Sequence, residues 1–367
     1  MMNAKERILF VYPIQFGYHT DTFKYCEHLQ NKYDIRYICF DQGLDQISLP
    51  GINVTYLPYN TGKIYRLFHF FHFLFQHTRE EKIEILFTVQ FKFCFLIGLF
   101  AKASVKVLDY RSGDLSSNNF IRKFKNQILW FDSLFFGNIS VISEGLRDIL
   151  HLTSRNTLIL PLGGDVFSKL VHSYNRLDLL YVGHLHIRNI YQTIEGVALF
   201  LKRNVGTINK INYTIVGFGY EKDEERIRDY ILKFKLGNIV HFLGRKKYTE
   251  LPEYFDVCNI GVSYIPKTPY YEHQPATKTF EYTNSGLFTI ATNTCENRKV
   301  ITDNNGVLCN DDPISFCEAL EKVYNRMDSI KENDVRCSLQ NYLWSRIIDD
   351  ILEPYFVKKL SESQESV

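Results

Sequence analysis

Excess charge is nearly absent from this chain: 43 Lys and Arg against 41 Asp and Glu leave a net +2. With no long basic run and no zinc-finger spacing either, no nucleic-acid partner is expected. Long apolar runs are also missing. The longest, FCFLIGLFA at 93–101, falls well short of the roughly 18 to 20 residues that cross a bilayer. The lead MMNAKERILFVYP passes straight into a strand-like run with no secretory core or cleavage site, so the expected location is cytoplasmic, at most peripheral on the inner face of a membrane. The eight cysteines form no C-x-x-C, and several sit inside apolar runs such as RYICF, which reads as buried free thiols in a reducing compartment. H-E-x-x-H, Walker A and G-x-S-x-G are absent, and no Asp-x-Asp follows a strand as a metal site. No metal site is expected.

What the chain does have is aromatic residues, 29 Phe and 24 Tyr, within an ordinary 45% apolar and 23% charged composition. An aromatic-rich core of a soluble protein follows, and 367 residues suffice for two domains. In the first half, strand-like runs (ILFVYP, IRYICFD, NVTYLPY, ILFTVQF, KVLDYR, SVISE and TLILPLGGD) alternate with helical patterns that include 21–31, 63–79 and 119–135. After a polar segment, SKLVHSYNRLD, which reads as a hinge, the alternation begins afresh with LLYVGH, INYTIVGFG, IVHFLGR, NIGVSYIP, FTIATN and GVLCN. The fold class is therefore α/β, two doubly wound Rossmann-like domains in sequence. Their expected bounds are 1–168 and 169–342. A long helix over 343–367 follows, with SESQESV as a frayed tail. In open parallel sheets the ligand crevice lies beyond the carboxyl ends of the strands, so the residues just after each strand are the candidates.

The segment PKTPYYEHQPATKTFEYTNSGLFTIATN, 266–293, reads as loop, helix, glycine stop and buried strand. Pro275 suits the first helical turn and Gly286 the end. Lys278 and Glu281, three apart, share a helical face near the end where free amides and the helix dipole favour a phosphate. Taken alone, they are also what an ordinary surface ion pair looks like. The order P-x-x-K-x-F-E-Y-x-x-S-G-x-x-x-I-A-T, however, resembles the donor-binding segment of GT-B glycosyltransferases of the retaining group 1, or family 4. The resemblance covers about 177–310 and is weak before it.

The resemblance implies two Rossmann-like domains facing a cleft, with the acceptor on the first, the nucleotide-sugar donor on the second, and a last helix crossing back to the first. The nucleotide-sugar would be substrate, with no cofactor. Glu281 takes the family's ribose-binding role, with Thr277 and Lys278 beside it. In YVGHLHIRNIY the family's V-G-[RK] becomes Gly183–His184, and Asn189 stands where its diphosphate-binding Lys would align, one residue after Arg188. An arginine binds diphosphate in bidentate fashion, so Arg188 is the candidate cation. Gly217 and Gly219 match the V-G-x-G turn, and Arg245 follows F-L-G where the family places a residue near the nucleobase. The family's first glutamate, eight positions before Glu281, is here His273, preceded by Glu272. A histidine can still donate to a sugar hydroxyl or phosphate. His273, Arg188 and Lys278 are the candidate catalytic residues.

In the first domain Gly17 and His19 follow strand one, where the family's loop touches donor phosphate or acceptor; His19 also suits a helix cap. Asp109 and Arg111 end a strand in VLDYRSGD and are expected to orient the acceptor or support the hinge. The expected function is retaining transfer of a hexose-type sugar from a nucleoside-diphosphate-sugar to a hydroxyl of a glycan or lipid-linked acceptor, without a metal. A catalytically silent nucleotide-binding scaffold is the alternative, and an epimerase lacks a suitable acid pair. Two aromatic-basic stretches, KIYRLFHFFHFLFQHTREEK and NNFIRKFKNQILWFDSLFF, read either as helices covering the sheet or as a docking surface for an anionic membrane.

Overall fold

Apolar runs bounded by turn residues become strands, and every named strand pair is parallel. The computed structural model describes residues 5–60, 62–114, 116 and 118–365. The chain folds as two units, one made of the residues up to Pro161 and those from Trp344 on, the other of Leu162–Leu343.

In the first unit β1 (Arg7–Val11), β2 (Asp34–Asp41), β3 (Ile52–Pro58), β4 (Ile85–Val89), β5 (Val105–Tyr110), β6 (Asn138–Val141) and β7 (Thr157–Ile159) form one sheet in the order β3-β2-β1-β4-β5-β6-β7. Every residue of the central strand β4 is buried, as helices on both faces require. The aromatic surplus fills this core: Phe87 meets Phe10 (5.3 Å), Tyr25 (5.8 Å) and Phe356 (5.9 Å). The helices Lys63–Glu80, Phe95–Phe100 and Asn119–Ser133 connect β3 to β4, β4 to β5 and β5 to β6, all stepping the same way, so right-handed crossovers place them on one face.

The second unit repeats the plan with β8 (Leu177–His184), β9 (Ile211–Phe218), β10 (Val240–Phe242), β11 (Ile260–Ser263), β12 (Phe288–Thr292) and β13 (Gly306–Cys309), in the order β10-β9-β8-β11-β12-β13.

Four details differ from the sequence reading. The polar segment read as a hinge is tied to the second unit, because His172 bonds the Ser285 carbonyl (3.0 Å) and Tyr174 donates to the Gly286 carbonyl (2.6 Å). The final helix is not continuous: a π-turn, Ile348–Leu352, precedes the helix Glu353–Glu365. Pro354 explains it, since a ring that cannot donate and crowds the preceding turn favours the wider winding, with Glu353 N–H reaching Ile348 O. That helix runs on through Ser361–Glu365, so this part of the tail is ordered. Of the eight free cysteines six are buried, but Cys337 is exposed and Cys295 half-buried.

Candidate functional site

The second sheet reverses direction at β8: the chain steps outward through β9 to β10, then returns to the other side of β8 as β11. Beyond the carboxyl ends of β8 and β11, at this switch point, lies a pocket of about 290 Å³. Its walls include His184 at the end of β8 and Arg188 after it, Ser263 and Tyr264 at the end of β11, and Thr277 and Lys278 of the helix Thr277–Asn284.

That helix is fixed from several sides. Thr279 Oγ1 bonds Ser263 Oγ (2.8 Å) and donates to Asn297 Oδ1 (3.0 Å). The buried Tyr282 hydroxyl accepts the Val182 N–H of β8 (2.7 Å), and its ring lies where a side chain on Gly261 would be. Gly164 passes so close to the helix backbone that a Cβ there would stand 2.8 Å from Phe280 Cβ and 2.9 Å from Glu281 N. The far end closes as a Schellman motif, with Leu287 N–H on Tyr282 O, Gly286 N–H on Thr283 O and Gly286 left-handed at φ +84°. Pro275 lies before the first turn, not in it. It holds Gln274 extended, Ala276 is extended in turn, and the helix starts at Thr277. As N-cap, Ala276 offers no side-chain acceptor; its carbonyl takes the Thr279 N–H (2.9 Å), and the Thr277 and Lys278 amides are left for an anion or solvent.

Lys278 pairs with Glu281 one turn on, and its ammonium lies 5.5 Å over the Phe167 ring. Glu281 is only 3% exposed and is not among the lining residues; Lys278 stands between it and the pocket. Arg188 stacks on Tyr271, its Cζ 4.5 Å from the ring centroid, between two left-handed residues, Ile187 (φ +61°) and Asn189 (φ +54°). A β-branched residue at positive φ is strained, so the turn presenting Arg188 is held by its surroundings. Tyr264 ties the β11 exit to Gln192 (2.9 Å) at the start of the helix Tyr191–Arg203. Burial, then the neighbouring His186 and Arg188, depress the His184 pKa, so its imidazole is neutral at neutral pH. His184 Nδ1 accepts the His186 N–H (3.2 Å).

The structure thus brings Gly183, His184, Arg188, Thr277 and Lys278 to one pocket. Gly217 and Gly219 do not line it, and neither is at positive φ. Gly217 pairs with Gly183 across β9 and β8, where a side chain would strike the Gly183 carbonyl; at Gly219 a Cβ would stand 3.1 Å from Leu185 Cβ. Arg245 is exposed and stacks at 4.5 Å on Phe218, which meets the edge of His184. His273 is half-buried in the short 3-10 turn Tyr271–His273 and does not line the pocket. Glu272 points elsewhere, accepting the Cys295 N–H (2.8 Å).

In the first unit Gly17 is left-handed (φ +91°), and His19 caps the helix Thr20–Leu29 through the Thr22 N–H. Burial lowers the His19 pKa. Asp109 and Arg111 are buried, not poised at a surface. Arg111 Nε donates to Asp21 (2.5 Å) and Nη1 to the Leu160 carbonyl (2.8 Å), while Asp109 Oδ1 accepts from Ser140 (2.7 Å). The cluster clamps the first helix and the end of β7 onto β5. A cavity that sequence reasoning missed, of about 390 Å³, lies at the β1/β4 switch point and carries Lys63, Arg66 and Lys92. Lys92, just after β4, was the available signal.

Among the described residues no group of three His, Cys, Asp or Glu is placed to hold a metal, and no helix is long and apolar enough to cross a membrane.

The fold is that of known GT-B glycosyltransferases. Sucrose-phosphate synthase from Thermosynechococcus elongatus superposes with a TM-score of 0.73 at 15% identity, over 98% of this chain and 100% of the other. HepE from Anabaena, solved with UDP and glucose, gives 0.71 at 12% identity over 95% and 99%. The UDP-forming α,α-trehalose-phosphate synthase from Burkholderia vietnamiensis gives 0.73 at 9% over 99% of each. Comparison with curated protein sequences finds no match. Residues 166–337 match the family model of the group 1 glycosyl transferases. The match falls wholly within the second unit. In this GT-B chain the family match spans nearly the whole of Leu162–Leu343 and so contains all of the pocket except Leu162.

Proposed function

We propose that the protein moves a hexose-type sugar from a nucleoside-diphosphate-sugar to a hydroxyl of a glycan or lipid-linked acceptor, with retention of anomeric configuration. The observation that carries this reading is the convergence of Arg188, Lys278 and an uncapped helix N-terminus on one switch-point pocket. Three sources of positive potential at one place suit a diphosphate. HepE, solved with UDP and glucose, and the UDP-forming trehalose-phosphate synthase support a nucleotide-sugar as donor.

In this reading the bond between the anomeric carbon and the diphosphate oxygen breaks, and its electron pair leaves with the diphosphate. Arg188, Lys278 and the helix amides stabilise that charge without a divalent ion. The acceptor hydroxyl attacks from the face the diphosphate leaves, and a diphosphate oxygen takes its proton. No protein nucleophile takes part, and neutral His184 is available to hydrogen-bond the sugar or phosphate.

A second reading, a catalytically silent nucleotide-binding scaffold, is favoured by one feature: His273 replaces the family's first glutamate, and the adjacent Glu272 is committed to the Cys295 amide. A thermal-shift and hydrolysis screen against UDP-, GDP-, ADP- and dTDP-sugars, with and without EDTA, separates the two. The transferase reading expects stabilisation by one donor and slow, EDTA-insensitive release of its nucleotide. Stabilisation with no release at high enzyme concentration, acceptor mixtures included, would favour the scaffold.

A further inference from the structure

The helix Asn119–Ser133 is amphipathic, yet its apolar face points away from the protein. The residues it buries are Asp132 and Ser133. Phe120 (81% exposed) and Phe124 (58%) stand in solvent together with Ile128 and Phe131, at spacings that put all four on one side. The opposite side holds the helix to its unit, through Tyr110 Oη donating to the Leu129 carbonyl (2.5 Å) and Asn126 Oδ1 accepting the Asp114 N–H (3.0 Å). This inverts the arrangement of a helix that covers a sheet.

The exposed face does not end with this helix. Phe131 meets Phe95 (5.9 Å) in the helix Phe95–Phe100, whose Leu99 and Phe100 are exposed, and Phe100 meets Phe75 (5.7 Å) in the helix Lys63–Glu80, whose Ile64 and Phe68 are exposed. All three helices share one face of the sheet. Cations lie along it: Lys123 and Lys125 flank the apolar stripe of the third helix, Lys63 and Arg66 lie beside that of the first, Asp132, the acid of Asn119–Ser133, is buried, and the exposed acid Glu80 sits at the far end of Lys63–Glu80. Lys125 also pairs with Asp114 (3.1 Å) from the preceding loop. A cavity of about 660 Å³ opens beside the stripe, lined by Phe93, Phe95, Ile128 and Phe131 with Lys92 and Lys125 among its walls.

We infer that this face of the first unit docks onto an anionic lipid bilayer, with the phenylalanines entering the interface and the lysines meeting the headgroups. Apolar side chains flanked by cations are what an in-plane interfacial helix requires. A second copy of the chain would bring the same lysines together, which like-charge repulsion disfavours. The inference rests on the first unit alone and stands apart from the donor pocket.

The test is co-sedimentation of the full chain with vesicles of phosphatidylcholine alone or mixed with phosphatidylglycerol, alongside Trp130 emission. Trp130 is partly exposed on this helix and the other tryptophan, Trp344, is buried, so a blue shift reports the helix. The inference expects binding to the mixed vesicles with a blue shift, loss of both in Phe120→Ser/Phe124→Ser/Phe131→Ser, and about thirtyfold weaker binding in Lys123→Gln/Lys125→Gln, each basic group near such a surface being worth roughly fivefold. These side chains lie at the surface, so thermal unfolding and donor binding should stay as in the parent. Absence of vesicle binding by the parent, equal binding by the triple serine variant, or a parent dimer that the triple variant dissolves would each overturn it.

Discussion

Asp109 has one oxygen more than its surroundings use. Oδ1 takes the Ser140 hydroxyl and faces Arg111, while Oδ2 is buried with no hydrogen-bond partner. Burial outweighs the attraction of Arg111 and lifts the Asp109 pKa from 3.8 to about 6. A carboxyl raised in the folded state holds its proton longer there than in the unfolded chain, so its contribution to stability is present below about pH 4 and is lost as pH rises through about 6. Urea unfolding of the parent and of Asp109→Asn at several pH values should show the parent losing stability relative to the variant across that window, and parallel curves would contradict this. The sequence showed Asp109 and Arg111 at a strand end but not Asp21, 90 residues from Arg111, which completes the clamp. Tyr282 was hidden for the same reason. Its letter in K-x-F-E-Y was read, but its partner Val182 lies 100 residues away, and only the fold shows that this hydroxyl seats the helix.

Elements were more legible than contacts. Each strand announced itself as a β-branched or apolar run, and Gly286 marked the helix end because a Schellman closure needs a left-handed residue before the next strand. Gly286→Ala should therefore cost about 1 to 2 kcal/mol for the left-handed backbone alone. More is expected because the new Cβ would stand 2.5 Å from Glu332 Oε1. Thermal unfolding measures it, and an unchanged midpoint would contradict the closure. What periodicity could not give was direction: the 3.6-residue repeat over 119–133 says that the helix has an apolar side but not that this side faces out. The offset of Pro275 and the π-turn before Pro354 were also beyond a reading that places proline by preference. Both depend on how neighbouring residues absorb the missing donor.

For the whole molecule, alternation of strand and helix was enough to predict two parallel sheets, and the switch-point rule was enough to say where in the second sheet to look. The pocket found there draws on residues from 162 to 278. Its two cations come from separate elements, Arg188 from the turn after β8 and Lys278 from the helix Thr277–Asn284, which is why the Arg188 side required a family pattern while the Lys278 side stood out in the sequence. On the proposed reading this pocket holds the diphosphate of a nucleotide-sugar. Calorimetric titration of the parent and of Arg188→Ala with UDP, GDP, ADP and dTDP, in EDTA, tests it most directly. Arg188 makes its ring contact at the pocket wall, so its removal should leave the unfolding midpoint nearly unchanged. One of the four should bind the parent, and the variant should bind it roughly 10- to 100-fold more weakly, the worth of a charge-assisted hydrogen bond. Equal affinity in parent and variant, or no binding of any of the four, would contradict it.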